Sequence, residues 1–151
     1  MTLTQKETGI LNDLKSQEQL CIDKYGKYAA EASDPALREV FNQLRGAEEN
    51  HLSTICRLLS GEEVVMGAAP PAAASEKFSG GASECPSGPR DNDAFLCRDA
   101  LAMEKHVSSV YDTGIFEFCS PVVRDTLAHI QKEEQNHGEK LYSYMSLNGM
   151  Y

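Results

Sequence analysis

The chain has 151 residues, enough to bury the core of one domain without disulfide bonds. It carries 23 acidic and 14 basic side chains, a formal net charge of −9, which argues against nucleic acid and anionic membrane surfaces as partners. The five cysteines form no C-x-x-C pair, so the sequence encodes neither a closed disulfide framework nor a four-cysteine metal site.

The first residues lack a basic segment followed by an apolar run, and no stretch approaches the roughly 18 apolar residues of a membrane span. We therefore expect no signal peptide, no membrane anchor and synthesis in the cytoplasm.

Apolar residues recur at helical spacing and predict two helices in the first part of the chain. A capping-box signature at Thr4 opens the first helix, over about residues 4–33. Asp34 followed by Pro35 starts the second helix, over about residues 35–60, because this pair combines an N-cap with a favoured first helical residue.

A segment rich in alanine, proline, glycine and serine follows, and predicts a linker over about residues 61–90. Asp91 or Asn92 is expected to cap a third helix over about residues 92–119. The fourth helix is expected over about residues 121–147.

Two helical hairpins joined by a long connection predict an all-α, ferritin-like four-helix bundle. An up-down-up-down bundle would need only short turns. We expect residues 1–151 to form a single domain.

One pattern occurs twice in the chain, at a constant offset of 86 residues. Its members are Glu18, Tyr25, Arg38, Glu48 and His51 in the first copy, and Glu104, Tyr111, Arg124, Glu134 and His137 in the second. Each Glu-x-x-His pair places a carboxylate and an imidazole on one face of a helix. The other glutamate lies 30 residues upstream with a helix start halfway between, so the outward and returning helices bring it to the same level.

These carboxylates occupy predicted core positions, where uncompensated ionised groups cost several kcal/mol each. Arg38 and Arg124 lie about three turns away and cannot neutralise them. The sequence therefore predicts two metal ions, iron or manganese, since both accept carboxylate and imidazole; zinc can replace them in a crystal. The predicted ligands are Glu18, Glu48, His51, Glu104, Glu134 and His137.

Tyr25 and Tyr111 lie two turns along from Glu18 and Glu104 on the same helix faces. Each phenol can either hydrogen-bond a ligand carboxylate of the opposite half or pack in the core with its hydroxyl satisfied elsewhere. The sequence leaves both alternatives open.

Other polar residues near the ligands have no counterpart in the other copy. His106 and His129 are interpreted as surface or rim residues. Glu49 and Glu133 flank ligands but break the register of the repeat, so each is either solvated or in contact with a ligand. No catalytic residue is assigned.

The doubled pattern of Glu, Tyr seven residues later, and Glu-x-x-His resembles the ferritin-like domain of rubrerythrins. This resemblance implies a di-iron centre that reacts with peroxide or oxygen. The chain lacks the paired C-x-x-C motifs of the rubredoxin domain, so the usual internal electron donor is missing.

Residues 15–28, 129–142 and 148–151 are similar to the Coat F family of spore coat proteins from spore-forming Firmicutes. This resemblance covers nearly the whole chain. It implies synthesis in the mother cell, deposition on the spore coat, and other coat proteins as partners.

Two hypotheses follow. The first is a redox enzyme in which Glu48 and Glu134 bridge two metals, with peroxide or oxygen as substrate. The second is a structural coat component in which any metal only stabilises the fold. The sequence does not decide between them, and it leaves a homo-oligomer open.

Overall fold

The computed structural model describes residues 2–67 and 77–151. In these two ranges the chain forms four α-helices and no β-strand. The helices are α1 (Gln5–Glu31), α2 (Pro35–Leu59), α3 (Ser87–Ile115) and α4 (Pro121–Leu147). Helix α1 packs on α2 and α3 on α4, which confirms the predicted all-α four-helix bundle.

The predicted starts of α1 and α2 are confirmed. The Thr4 side chain accepts a hydrogen bond from the backbone N–H of Glu7, and the Glu7 carboxylate accepts one from the backbone N–H of Thr4. Asp34 caps α2 by accepting a 2.9 Å hydrogen bond from Ala36 N, and Pro35 occupies the first turn. Both helices therefore begin at positions fixed by local chemistry.

The predicted start of α3 is wrong. The helix begins at Ser87, and its N-cap is Pro86, without a side-chain cap; neither Asp91 nor Asn92 has that role. Pro89, which counted as a helix breaker in the sequence, lies in the first turn of α3. Proline is tolerated there because the first backbone N–H groups of a helix have no intrahelical acceptor.

The connection between the hairpins is correspondingly displaced, to residues 60–86 instead of about 61–90. Residues 68–76 of this predicted linker lie outside the described residues. Helix α3 also ends earlier than expected, at Ile115, and residues 116–120 form the turn into α4.

The described parts of this connection lie along α4. Thr126, near the start of α4, donates a 2.6 Å hydrogen bond from Oγ1 to Val64 O. Ser143, near its end, accepts a 2.7 Å hydrogen bond from Phe78 N. The two described parts of the connection therefore lie near opposite ends of α4.

Two buried carboxylates tie each hairpin to the turn of the other. Asp93, fully buried at 0% exposure, accepts hydrogen bonds from Ser33 N at 2.7 Å and Asp34 N at 2.9 Å. Glu7 accepts one from Cys119 N at 3.1 Å. Glu7 and Asp93 are themselves 86 residues apart, so the repeat extends to this contact, which the sequence analysis missed.

The repeated arginines lie at the hairpin turns. Arg38 Nε donates to Ala32 O at 2.6 Å, and Arg124 Nη1 donates to Phe118 O at 2.9 Å. Because both guanidinium groups bind carbonyls at these turns, they do not neutralise the carboxylates of the core.

Among the described helices, none has the length and apolar character that crossing a membrane requires.

Candidate metal centre

The six predicted ligands converge at the middle of the bundle, each with an exposure of 6% or less. Every helix contributes to them near its midpoint, because the caps and turns fix the register of all four helices. Their ligand atoms form two groups, each with all atoms within 4.8 Å of one another. The groups are Glu18, Glu48, His51 and Glu134, and Glu48, Glu104, Glu134 and His137.

Two of the carboxylates are shared by both groups. His51 Nδ1 lies 3.1 Å from Glu48 Oε2 and 3.2 Å from Glu134 Oε1. His137 Nδ1 lies 3.1 Å from Glu48 Oε1 and 3.3 Å from Glu134 Oε2. Each shared carboxylate therefore turns one oxygen toward each imidazole, which is the arrangement of bridging ligands.

The other two carboxylates each belong to one end of the cluster. Glu18 Oε2 lies 3.7 Å from His51 Nδ1, and Glu104 Oε1 lies 3.5 Å from His137 Nδ1. The imidazole rings stack with centroids 5.6 Å apart and planes 17° apart. Each end thus offers one carboxylate and one imidazole of its own.

Four carboxylate oxygens of this cluster are buried without a hydrogen-bond donor: Glu18 Oε2, Glu104 Oε2, and both oxygens of Glu134. Burying polar oxygens in this state is costly, and a cation held among them removes the cost. Carboxylate and imidazole are ligands suited to iron, manganese and zinc. The residues present therefore fit metal ions, while their role as ligands stays a prediction.

Burial raises the pKa of Glu18 to about 8. Burial also raises the pKa of Glu104 well above its ordinary range. For Glu48 and Glu134 burial acts in the same direction, but close contacts with the two imidazoles outweigh it and lower the pKa of both carboxyls. The shared carboxylates are therefore the ionised pair.

Burial alone would lower the pKa of His51 and His137, but contacts with the surrounding carboxylates outweigh it and hold both pKa values well above normal. Without metal, two imidazolium ions then balance the two shared carboxylates, while Glu18 and Glu104 stay protonated. Metal ions bound among these groups must displace those protons.

The repeated tyrosines contact the cluster across the bundle. The Tyr25 hydroxyl donates a hydrogen bond to Glu104 Oε1, and the Tyr111 hydroxyl donates one to Glu18 Oε1. Of the two alternatives left open by the sequence, the structure shows the contact with a carboxylate of the opposite half.

One contact breaks the symmetry of the repeat. His51 Nε2 lies 2.9 Å from Glu133 Oε2, and His129 Nε2 lies 3.6 Å from Glu133 Oε1. The position 86 residues before Glu133 is Ala47, which has no polar side chain. The imidazole of His51 is therefore held from its outer side by a carboxylate that has no equivalent in the other copy.

The remaining flanking residues lie on the surface. Glu49 is exposed and forms an ion pair with Arg45 at 3.4 Å, so it is solvated rather than in contact with a ligand. His106 is exposed, as interpreted from the sequence, whereas His129 is partly buried beside Glu133.

Residues 92–151, which contain most of α3 and all of α4, match the family model described as the Coat F domain. The match confirms the resemblance to the Coat F family over this part of the chain, which carries Glu104, Glu134 and His137. Comparisons with curated proteins and with solved structures gave no match. The resemblance to rubrerythrins stays a prediction.

Proposed function

Since the resemblance to the Coat F family is confirmed over residues 92–151, we propose that this chain is a spore coat protein whose bundle binds two metal ions, iron or manganese. The family supports synthesis in the mother cell, deposition in the coat and contacts with other coat proteins. Support for the metals comes from the interior of the bundle.

The observation that carries the metal proposal is the set of four buried carboxylate oxygens without a donor. They lie beside two imidazoles, and the repeated arginines, Arg38 and Arg124, bind backbone carbonyls at the distant hairpin turns. One ion would be held by Glu18 and His51, the other by Glu104 and His137, with two carboxylates shared between them.

Neighbouring side chains orient the predicted ligands. Tyr25 and Tyr111 donate hydrogen bonds that orient the unshared carboxylates, and Glu133 fixes the ring of His51. Such outer contacts determine the orientation and basicity of metal ligands.

Activity toward peroxide is the finer part of the proposal. Ions held by Glu18, His51, Glu104 and His137 would supply two-electron chemistry. That chemistry would convert hydrogen peroxide, two protons and two electrons to two waters, and the oxidation of a second peroxide to dioxygen would supply those protons and electrons. The low exposure of the cluster, 6% or less for each predicted ligand, limits the contact of the reacting groups with bulk water. Dioxygen is the alternative oxidant.

A structural role in the coat is the second candidate, favoured by the Coat F match itself. The reciprocal contacts of Glu7 and Asp93 hold the two hairpins together without any metal. In this case bound metal would only stabilise the bundle.

The test is to purify the protein anaerobically, load it separately with iron and manganese, measure metal per chain, and follow peroxide loss. About two ions per chain with rapid turnover support the enzyme, as expected for a carboxylate site of this composition. A loaded but inert protein supports the structural role, and a chain that retains no metal contradicts the site.

A further inference from the structure

A cleft between α3 and α4 reaches the cluster from one side of the bundle. Its volume is about 370 Å³, its floor includes Glu104 and Glu134, and its walls include Ser108 and Gly138. Lys105 and Gln135, both exposed, lie at its mouth. The cleft therefore opens above two of the predicted ligands.

The floor of the cleft contains oxygens that lack a partner. Glu104 Oε2 and both oxygens of Glu134 are buried without a hydrogen-bond donor. Glu104 is only 3% exposed and Glu134 only 1%. Whatever cation these oxygens hold would be the deepest group that a molecule entering the cleft could meet.

The repeat allows a direct comparison with the other side of the bundle. The positions 86 residues before Ser108 and Gly138 are Ile22 and Leu52. Ile22 is buried, with an exposure of 6%. Two large apolar side chains thus stand in the first copy where the second copy has a hydroxymethyl group and a hydrogen atom, although the ligands themselves are the same in both copies.

Neither backbone conformation nor close packing requires the glycine at 138. Its φ is not positive, since among the described glycines only Gly61 and Gly149 have positive φ. A Cβ added to Gly138 would meet only Leu101 Cδ1, at an ordinary 3.6 Å. Glycine inside a helix costs roughly 1 kcal/mol relative to alanine, so it destabilises α4 while leaving the cleft open.

We propose that small molecules of the size of hydrogen peroxide or azide reach the metal cluster through this cleft, beside Glu104 and Glu134. We expect the equivalent face of the first copy, which has Ile22 and Leu52 at these positions, to be closed to them. The proposal rests on the proposed binding of two metal ions.

The test gives the cleft the residue types that stand at the equivalent positions of the first copy. Gly138→Leu and Ser108→Ile, made separately, place the side chains of the first copy in the walls of the cleft. Gly9→Leu is the matched control, because Gly9 is an exposed helical glycine whose added Cβ would meet nothing within 4 Å. Each protein is loaded with Co²⁺, its metal content is measured, and azide binding is followed by visible absorption.

Each variant of the cleft is expected to retain the metal content of the unmodified protein but to bind azide at least about tenfold more weakly, while Gly9→Leu binds it normally. Full metal content with unchanged azide affinity in both variants would overturn the cleft and leave the metal proposal standing. A metal-loaded, unmodified protein that binds no azide would also overturn the proposed route through the cleft. An unmodified protein that takes up no Co²⁺ overturns both proposals. If Gly138→Leu fails to fold, the test is made with Ser108→Ile, whose position is partly exposed.

Discussion

The hydroxyl of Tyr25 in the first hairpin donates a hydrogen bond to Glu104 in the second, and the repeat returns the same contact from Tyr111 to Glu18. Each hairpin therefore supplies the donor that satisfies a buried carboxyl of the other. The cluster is a property of the assembled bundle, since neither hairpin contains a complete set of partners.

We expect Tyr25→Phe and Tyr111→Phe each to lower the free energy of unfolding of the metal-free protein by roughly 1–3 kcal/mol. Removing the hydroxyl leaves a buried carboxyl oxygen without a donor, and the price of such a group is in this range. Urea unfolding measures the change. Tyr142→Phe serves as control, because Tyr142 is 47% exposed. Equal, negligible losses in all three variants would contradict the contact.

Asp93 is expected to be a principal link between the hairpins. Asp93→Ala removes an acceptor from two backbone N–H groups of the α1–α2 turn, at Ser33 and Asp34. We expect a loss of roughly 2–3 kcal/mol in unfolding free energy, since hydrogen bonds to charged groups are stronger than neutral ones. Asp91→Ala, at an exposed position two residues earlier, should change stability by less than about 0.5 kcal/mol.

The shared and unshared ligands should differ when each is removed. Glu48→Ala is expected to abolish binding of both ions, because Glu48 contacts His51 and His137 alike. His137→Ala should retain about one ion per chain, held at the intact end of the cluster. Both variants should fold, since the contacts of Asp93 and Glu7 that tie the two hairpins together are unchanged.

Metal analysis of the purified variants decides this prediction, with His106→Ala as the control for loss of an exposed histidine. Metal content equal to that of the unmodified protein in both Glu48→Ala and His137→Ala would rule out the cluster as the binding site.

The convergence of the six predicted ligands was predictable because three independent signals coincide in the sequence. The Glu-x-x-His spacing places two ligands on one helix face, and the upstream glutamate falls at the same level once Asp34 and Pro35 fix the turn. Repetition at a constant offset makes chance agreement improbable. Helical geometry converts such spacing directly into position.

Other features depend on packing that no local pattern encodes. Pro89 is compatible with the first turn of α3, but its surroundings of glycine and serine resemble a linker. The contact of Asp93 with the opposite turn appears only when α1 and α3 lie side by side. The sequence signal for this contact was Glu7, which is also acidic and lies 86 residues before Asp93.

Glu133 should make the two ends of the cluster unequal. Its carboxylate holds His51 Nε2, and the equivalent position of the repeat is Ala47. Glu133→Ala is therefore expected to weaken metal binding at the Glu18–His51 end by about 10–100-fold and to leave the other end nearly unchanged, as for other outer partners of metal-bound imidazoles.

Stepwise calorimetric titration with Co²⁺ resolves the two ends. Glu49→Ala is the matched control, because Glu49 flanks a ligand but faces solvent. If Glu133→Ala weakened both binding events by the same factor, Glu133 would act through the general charge of the site and not by holding one ring.

The metal-free protein should lose stability as the pH rises. Burial raises the pKa of Glu18 from an ordinary value of 4.5 to about 8, so the folded protein binds this proton more tightly than the unfolded chain does. The stabilisation is complete below the unfolded pKa and is lost progressively up to the folded pKa. The raised pKa values of His51 and His137 act in the same direction above about pH 6.5.

Between about pH 5.5 and 7.5 the titration of Glu18 lowers the unfolding free energy of the metal-free protein by up to about 1.4 kcal/mol per pH unit, and above about pH 6.5 each histidine adds up to the same amount. Urea unfolding at several pH values measures this slope. Glu18→Gln keeps the shape of the side chain but does not titrate. The dependence of unfolding free energy on pH should therefore decrease by the contribution of one titrating group. Metal-loaded protein should show no such loss, because bound ions have already displaced the protons. A metal-free protein whose stability stays constant or rises across this window would show that the buried groups do not hold protons in place of metal.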